Sequence, residues 1–454
     1  MKKYSLFCDQ IEMNKQTLIE AEQYIWKNPE TGYREWKTHA YLKEQFKRLG
    51  YELHEAGNIP GFYTDIDTGK PGPTVAVFGE LDALIVPNHP ECDPETKAVH
   101  ACGHCCQTAA LLGVAIALKA PGALDGMCGR IRLIAVPAEE LIELDYRRQL
   151  KESGVIKYYG GKAEFLYRGY LDGVDITFMI HTSHNKNHAR KLQIDGGNNG
   201  FLTKICEFRG KSSHAGGCPQ NGHNALYAAT TALAAANALR ETFVDSDHIR
   251  FHPIITEGGV AVNAIPETVR VESYIRGATN KAIERANEKI NLAFAGSAAA
   301  VGCKLTIDDF YGYMPLNNDK TLTDLFINLG NELFGEGSVI AEIDGWGTIC
   351  TDMGDISTVI PSIHPHIGGA SGTGHGTDYF ITDPEFAVVA SAKFQACFLG
   401  YLLSDNAKEA NKVIENKKTV FASKEEYFAA INSYNKQIDA VSYNDDGTIA
   451  LYYK

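Results

Sequence analysis

The chain has 454 residues, more than one ordinary hydrophobic core holds and a natural length for two domains. Hydrophobic residues make up 44% and charged residues 22%, the balance of a soluble globular protein. The formal charge of −13 argues against nucleic acid or an anionic membrane as a partner, because each needs a basic face; a small-molecule substrate stays open.

The N-terminal MKKYSLFCDQIEMN carries two lysines but no apolar stretch before Asp9, unlike a signal peptide. No window reads as 18 uncharged apolar residues, so no membrane span is expected. The 11 cysteines are irregularly spaced and do not read as a disulfide framework. Free thiols and a cytoplasmic location are the expectation.

From Thr17 to Leu49 the pattern is helical, interrupted at Trp26-Lys-Asn-Pro29. Thr74-Val-Ala-Val-Phe78 reads as a buried strand, with Asp82 shortly after it. The run 108–120 is too short to span a bilayer and reads as a core helix. Arg130–Val136 is a second strand and leads into Pro137-Ala-Glu-Glu140; Ile176–Ile180 is a third and leads into His181. Helical segments between these strands predict an α/β sheet, whose sites gather at the C-terminal ends of its strands. After Gly196-Gly-Asn-Asn-Gly200 the pattern becomes β-α-β-β-α-β, which suggests a small α+β domain inserted in the larger one. The α/β pattern resumes after Tyr313, and the last fifty residues read as a peripheral helix and tail.

His100-Ala-Cys-Gly-His-Cys-Cys106 is the densest chemical cluster. Gly103 lets the backbone bend so that the Cys102 thiolate and the His104 imidazole can converge on one ion. The plain alternative is a core stretch that happens to hold Cys and His. Glu139-Glu140 ends a strand, where adjacent carboxylates can divide roles, one binding metal and one acting as base; two solvated glutamates opening a helix are the alternative. The glycine-rich loop Gly368–Asp378 presents His375 and lacks a P-loop lysine. Cys102, His104, Glu140, His181 and His375 together suit zinc, and manganese, nickel or cobalt less exclusively. Five ligands are more than one tetrahedral ion needs, so two ions per subunit are expected.

These residues resemble a known family. HACGH, PAEE after a strand, His181 after GVDITFMI and the late GTGHGTDY occur in the order of the amidohydrolases of the M20 peptidase superfamily, subfamily D. GKSSHAGGCPQNGHNALYAA and GGVAVNAIPETVRVESYIR look like that family's lid motifs, and the resemblance runs from about Thr17 to Leu403. It implies a metallopeptidase-like catalytic domain, with a mixed sheet flanked by helices, in segments 1–195 and 313–405. A ferredoxin-like lid and dimerisation domain would cover 196–312, with a peripheral extension over 406–454.

The resemblance also implies Cys102, His104, Glu140, His181 and His375 as metal ligands, Asp82 as the acid that orients them, and Glu139 as general base. His214 would stabilise the oxyanion, commonly from the partner subunit of a homodimer, and Asn263 and Arg276 would sit near the substrate. The implied reaction is hydrolysis of an amide in an N-acyl amino acid, an aminobenzoyl-glutamate-like compound or a dipeptide, by a metal-activated water.

Three departures stand out. Cys105 replaces an Asp that usually follows HACGH, GELDAL replaces a segment more like R-A-D-M-D-A-L, and Leu141–Tyr159 is inserted between the glutamates and Gly160-Gly161. The insertion carries Glu143, Asp145, Arg147, Arg148 and Lys151, which could select charged substrates; a surface helix is the plain alternative. Two rival readings stand beside this one: a non-catalytic scaffold descended from the family, which Cys105 supports best, and a hydrolase with Cys102, Cys105 or Cys106 as nucleophile.

Overall fold

The computed structural model describes residues 4–453. The chain divides into two compact units, one built from Met1–Gly197, Asn317–Gly345 and Asp355–Lys424, the other from Asn198–Leu316, Trp346–Gly354 and Glu425–Lys454.

At the heart of the first unit, Thr74–Glu80 pairs in parallel with Arg130–Val136 on one side and with Ile176–Phe178 on the other. Phe62–Asp67 joins Arg130–Val136 antiparallel, and Ser362–Ile363 extends the parallel side. With His54–Glu55 at the far edge this makes a mixed six-stranded sheet. The two central strands are runs of Val, Ala, Ile, Leu and Phe buried along nearly their whole length, as strands covered on both faces must be. The helix His104–Leu118 has all but one of its residues buried. It crosses the sheet at Gly79, where a side chain would meet Thr108 Cα at 3.2 Å.

A second sheet in the same unit has four strands in the order Val339–Glu342, Leu192–Asp195, His366–Gly368 and His181–Ser183. The sequence suggested one strand running from Ile176 into His181. The chain instead leaves the first sheet after Phe178 and enters the second at His181.

The second unit shows the β-α-β-β-α-β order: Gly200–Arg209, Ala225–Ala238, Arg250–Glu257, Thr268–Gly277, Asn280–Ala300 and Lys304–Tyr313. All pairings are antiparallel, with Gly200–Arg209 central between Thr268–Gly277 and Lys304–Tyr313. Alanines of one helix and Ile283, Ile290 and Phe294 of the other pack on one core with Phe208, Val271 and Ile307.

The division departs from the predicted boundaries in two places. Trp346–Gly354 groups with the second unit. The C-terminal fifty residues are not a peripheral helix and tail. The helix that starts at Ser391 breaks at Ser404, where Asp405, Asn406 and Ala407 take positive φ, and a second helical stretch runs on to Glu415 and buries Ala410 and Val413. Beyond it, Lys436–Tyr443 pairs antiparallel with Lys304–Tyr313, and Ile449–Leu451 adds a sixth strand. The cause is the open row of backbone groups on Lys304–Tyr313, which an otherwise polar tail covers while burying only Ala440 and Val441. One helical run, Glu385–Glu415, is long and apolar enough to cross a membrane, yet 83% of its apolar window is buried inside the protein, where it serves as a core helix.

Candidate active site and metal centre

In the first unit the segments that leave the strands converge. Gly103 has φ +96°, and a Cβ there would lie 2.5 Å from the Tyr379 hydroxyl, so glycine alone fits the turn that sets Cys102 and His104 side by side. Cys102 Sγ lies 3.4 Å from His181 Nε2. His375 Nε2 lies 3.2 Å from Glu140 Oε1. Ligand atoms of Cys102, His104 and His181 all fall within 4.8 Å of one another, as do those of Cys102, Glu140 and His375 and those of His104, Glu139 and Glu140. The three sets share members, so all five expected ligands and Glu139 form one continuous constellation.

This arrangement fits divalent ions. His104 Nδ1 faces the Asp82 main-chain oxygen at 2.9 Å and its carboxylate at 3.2 Å, and His181 Nδ1 lies 2.8 Å from the Thr182 oxygen. Each imidazole is therefore held by one nitrogen and presents the other, as ligating histidines are. His104 Nε2 and Glu140 Oε1 are buried atoms without a hydrogen bond of good geometry, which is costly unless something else satisfies them. Asp82 does more than orient His104: its Oδ2 accepts the Glu140 amide at 2.7 Å, tying the two segments together.

The charges are strongly coupled. Burial pushes the Cys102 thiol up, but the neighbouring His181 and His104 outweigh it and bring it down to about 5. Burial would likewise raise Glu140, yet His375 holds it near 2, and Glu140 in turn drives His375 up to about 11. Ready deprotonation of Cys102 and Glu140 suits metal ligands.

Sequence reasoning missed four residues. Glu80, fully buried at the end of its strand, lies 3.2 Å from His104 Nε2 and is paired at 2.5 Å with the equally buried Lys162. Its signal was the acid two positions before Asp82 in GELDAL. Glu35 and Arg147 act on the turn that carries the glutamates. Ala138 sits at φ +61°, a conformation that costs a non-glycine residue roughly 1–2 kcal/mol. Its amide donates to Glu35 Oε1 at 2.7 Å, and Arg147 donates to its carbonyl at 3.3 Å. Arg147 also donates to the carbonyls of Tyr159, at 2.6 Å, and Glu140.

Two of the insertion's charges, Glu143 and Arg147, therefore differ from the expectation that they face a substrate. The insertion forms the helix Leu144–Glu152 with Arg147 only 1% exposed, and Glu143 is held by Thr31 and Arg34. These two side chains serve the scaffold: Arg147 donates to the carbonyls of the strained turn, and Glu143 accepts from Thr31 and Arg34.

Three expected site residues lie in the second unit. The amides of Gly216 and Gly217 donate to His214 Nδ1 at 3.2 and 2.8 Å, which places the ring proton on Nε2 and makes that nitrogen an exposed donor. The Ala215 amide donates to the Asn263 carbonyl at 2.9 Å, so Asn263 and His214 are neighbours. Arg276 is not with them. It sits near the opposite end of Thr268–Gly277, roughly 27 Å of extended strand from Thr268, and donates to His252 Nε2 at 3.0 Å.

Cys105 and Cys106 point away from nucleophilic chemistry. Both are fully buried, Cys105 faces Glu22 at 3.5 Å, and burial raises both thiols above their ordinary value. All 11 cysteines are free.

A mixed α/β unit with Cys, His and Glu donors gathered beyond its strand ends, joined to a ferredoxin-like unit, defines the metallopeptidase-type class. The sequence signature of peptidase family M20/M25/M40 matches residues 61–398. The chain belongs to that family and is an amidohydrolase. It is similar to the Xaa-Arg dipeptidase of Mus musculus, 27% identical over 79% of this chain and 78% of the relative. It is also similar to the N-acetyl-L-cysteine deacetylase of Bacillus subtilis, 27% identical over 68% of this chain and 70% of the relative. Among solved structures it shares its fold with a dinuclear metal binding peptidase of the M20 family from Bacillus subtilis. The TM-score is 0.63 and the identity 19%, over 86% of this chain and 99% of the other.

Proposed function

We propose that this amidohydrolase is metal-dependent and releases an amino acid from an N-acyl amino acid, an aminobenzoyl-glutamate-like compound or a dipeptide. The observation that carries the reading is the single constellation of Cys102, His104, Glu140, His181 and His375 with Glu139 at its edge. These five side chains would hold two divalent ions, zinc, manganese, nickel or cobalt. When bound, the ions supply Lewis acidity toward the amide carbonyl and toward water. The relatives named for Xaa-Arg and N-acetyl-L-cysteine both act, by name, on an amide of an amino acid, and so support the substrate class.

Glu139 takes the proton from the attacking water and passes it to the leaving amine. It is 8% exposed, with Oε2 4.0 Å from His104 Nε2, and sits on the braced turn, so it is held without being sealed off. Asp82 keeps His104 in the tautomer that presents Nε2. His214 Nε2–H stabilises the oxyanion, and Asn263, its neighbour, contacts the substrate.

The protein works as a cytoplasmic homodimer. The edge strand Arg250–Glu257 supports pairing of second units: it has one neighbour and exposes Ile254 by 62% and Ile255 by 38%, beside a loop with Val260 and Val262 fully outward.

The test is a panel of N-acyl amino acids, aminobenzoyl-glutamate and dipeptides, assayed for released amine with chelated protein and after adding each metal. Cleavage restored by metal is expected. Equal turnover by the chelated and reloaded protein, or no turnover of the panel in any metal, would refute the reading.

A further inference from the structure

The second unit carries a half-open cavity of about 350 Å³ between the helix Asn280–Ala300, the strands Gly200–Arg209 and Lys304–Tyr313, and the C-terminal segment. That volume falls in the range of small-ligand sites, roughly 300–1,000 Å³. The wall formed by Ser433, Tyr434, Lys436, Ile438 and Tyr453 comes from the last fifty residues, outside the reach of the family signature.

The cavity floor is polar without an evident structural reason. Asn287, Asn291 and Asp309 line it, and behind them the fully buried Lys204 is paired with Asp309 and donates to Asn291 Oδ1 at 2.6 Å. Asn287 donates its amide to Asp309 Oδ2 at 2.6 Å. Its own carbonyl oxygen is left buried with no partner. A buried ion pair contributes little net stability against a well-packed apolar core, and an orphaned acceptor costs about 1–3 kcal/mol, so such a floor points to a ligand that donates a hydrogen bond there.

The rim carries both signs. Glu284 and Glu288 lie one turn apart on the helix, and Lys436 faces the cavity from the strand Lys436–Tyr443. Tyr434 hydrogen-bonds Glu284 and stacks on Tyr311 with ring centroids 5.9 Å apart. Phe201, Leu202 and Ile283 complete an apolar wall.

We infer that this cavity binds a small zwitterion, a free α-amino acid with an apolar or aromatic side chain. Its ammonium donates to Asn287 Oδ1 and pairs with Glu284 and Glu288, its carboxylate meets Lys436, and its side chain lies along the tyrosine shelf. A plain amine would leave Lys436 unanswered, and a plain acid would leave the Asn287 acceptor unmet.

Calorimetric titration of the full chain with phenylalanine and leucine tests this, alongside the matching amines without a carboxylate and the matching 2-hydroxy acids without an ammonium. The readout is binding and needs no turnover, so it stands or falls separately from the proposed reaction. The amino acids should bind more tightly than either analogue. The exposed-site variants Glu284→Gln and Lys436→Met should each weaken them by at least about tenfold. No binding by either amino acid overturns the inference. Binding unchanged in both variants means the amino acid sits elsewhere, and equal binding of the amines with Lys436→Met silent removes the zwitterion; either result overturns it too.

Discussion

Replacing Arg147 by Met removes the brace under the two glutamates. The guanidinium serves the carbonyls of Ala138, Glu140 and Tyr159. Ala138 and Glu140 each keep a donor, because the Gly161 amide reaches the first oxygen at 3.1 Å and the Ile142 amide the second at 2.9 Å. Tyr159 loses the guanidinium donor. A lost hydrogen bond contributes about 0.5–1.5 kcal/mol, more where the donor is charged, so the loss at Tyr159 amounts to about 1–2 kcal/mol. The strain at Ala138, φ +61°, then has less to hold it. If the turn relaxes by about 1 Å, Glu139 and Glu140 leave their working positions, and kcat falls by about a hundredfold. The assay is thermal unfolding together with kcat and KM on any cleaved amide. Arg147→Met should lose stability and kcat with KM little changed, and Arg147→Lys should recover part of both. Wild-type stability and kcat in the Met variant would refute the brace, and a change confined to substrate preference would return the insertion to the role of selecting charged substrates.

Three further outcomes are expected. Glu139→Gln should keep metal and fold but lose a hundredfold to ten-thousandfold in kcat, roughly the contribution of a general base; near-normal turnover would remove Glu139 from that role. Glu22 is raised by burial from 4.5 to about 7, so the folded state holds its proton more tightly than the unfolded chain does. Glu22 is therefore protonated in both states and neutral for stability below about 4.5, and its burial turns progressively unfavourable as pH rises from about 4.5 to about 7, levelling off above. At about 1.4 kcal/mol per pH unit, Glu22→Gln should stabilise the protein by up to about 3 kcal/mol more at pH 8 than at pH 4, and a pH-independent effect would contradict this. His214→Ala should bind metal and be nearly inactive, yet regain activity when its subunits are exchanged with Glu139→Gln, because one site of such a dimer carries no defect. Verified heterodimers that stay inactive would place His214 within its own chain or outside the reaction.

What the sequence disclosed follows from how local each signal is. Cys102 and His104 flank a glycine two residues wide, and Glu139-Glu140 closes a β-branched run, so their clustering was legible before any coordinates. The ferredoxin-like order was equally plain, because each element carries its own periodicity. Lys162, Glu35 and Arg147 were not legible, since nothing local separates a buried charged residue from a solvated one. Arg147 sits in a strongly polar helix and turns inward to donate to three carbonyls that come together only in the folded chain. The C-terminal strands were hidden for a related reason: Lys436–Tyr443 buries only Ala440 and Val441, and its pairing depends on a strand edge more than a hundred residues earlier. Arg276 was assigned by resemblance alone, and its strand carries it away from His214 and Asn263.

The central claim is that Cys102, His104, Glu140, His181 and His375 hold divalent metal. Elemental analysis of the purified protein beside Cys102→Ala and His375→Ala, each checked for native folding by circular dichroism, tests it most directly. The ligands hang from a large apolar core, so both variants should stay folded. The account predicts close to two ions per chain in the wild type and clear depletion in both variants, with activity falling in step. Wild-type stoichiometry in both folded variants, or a fully active protein without metal, would contradict it.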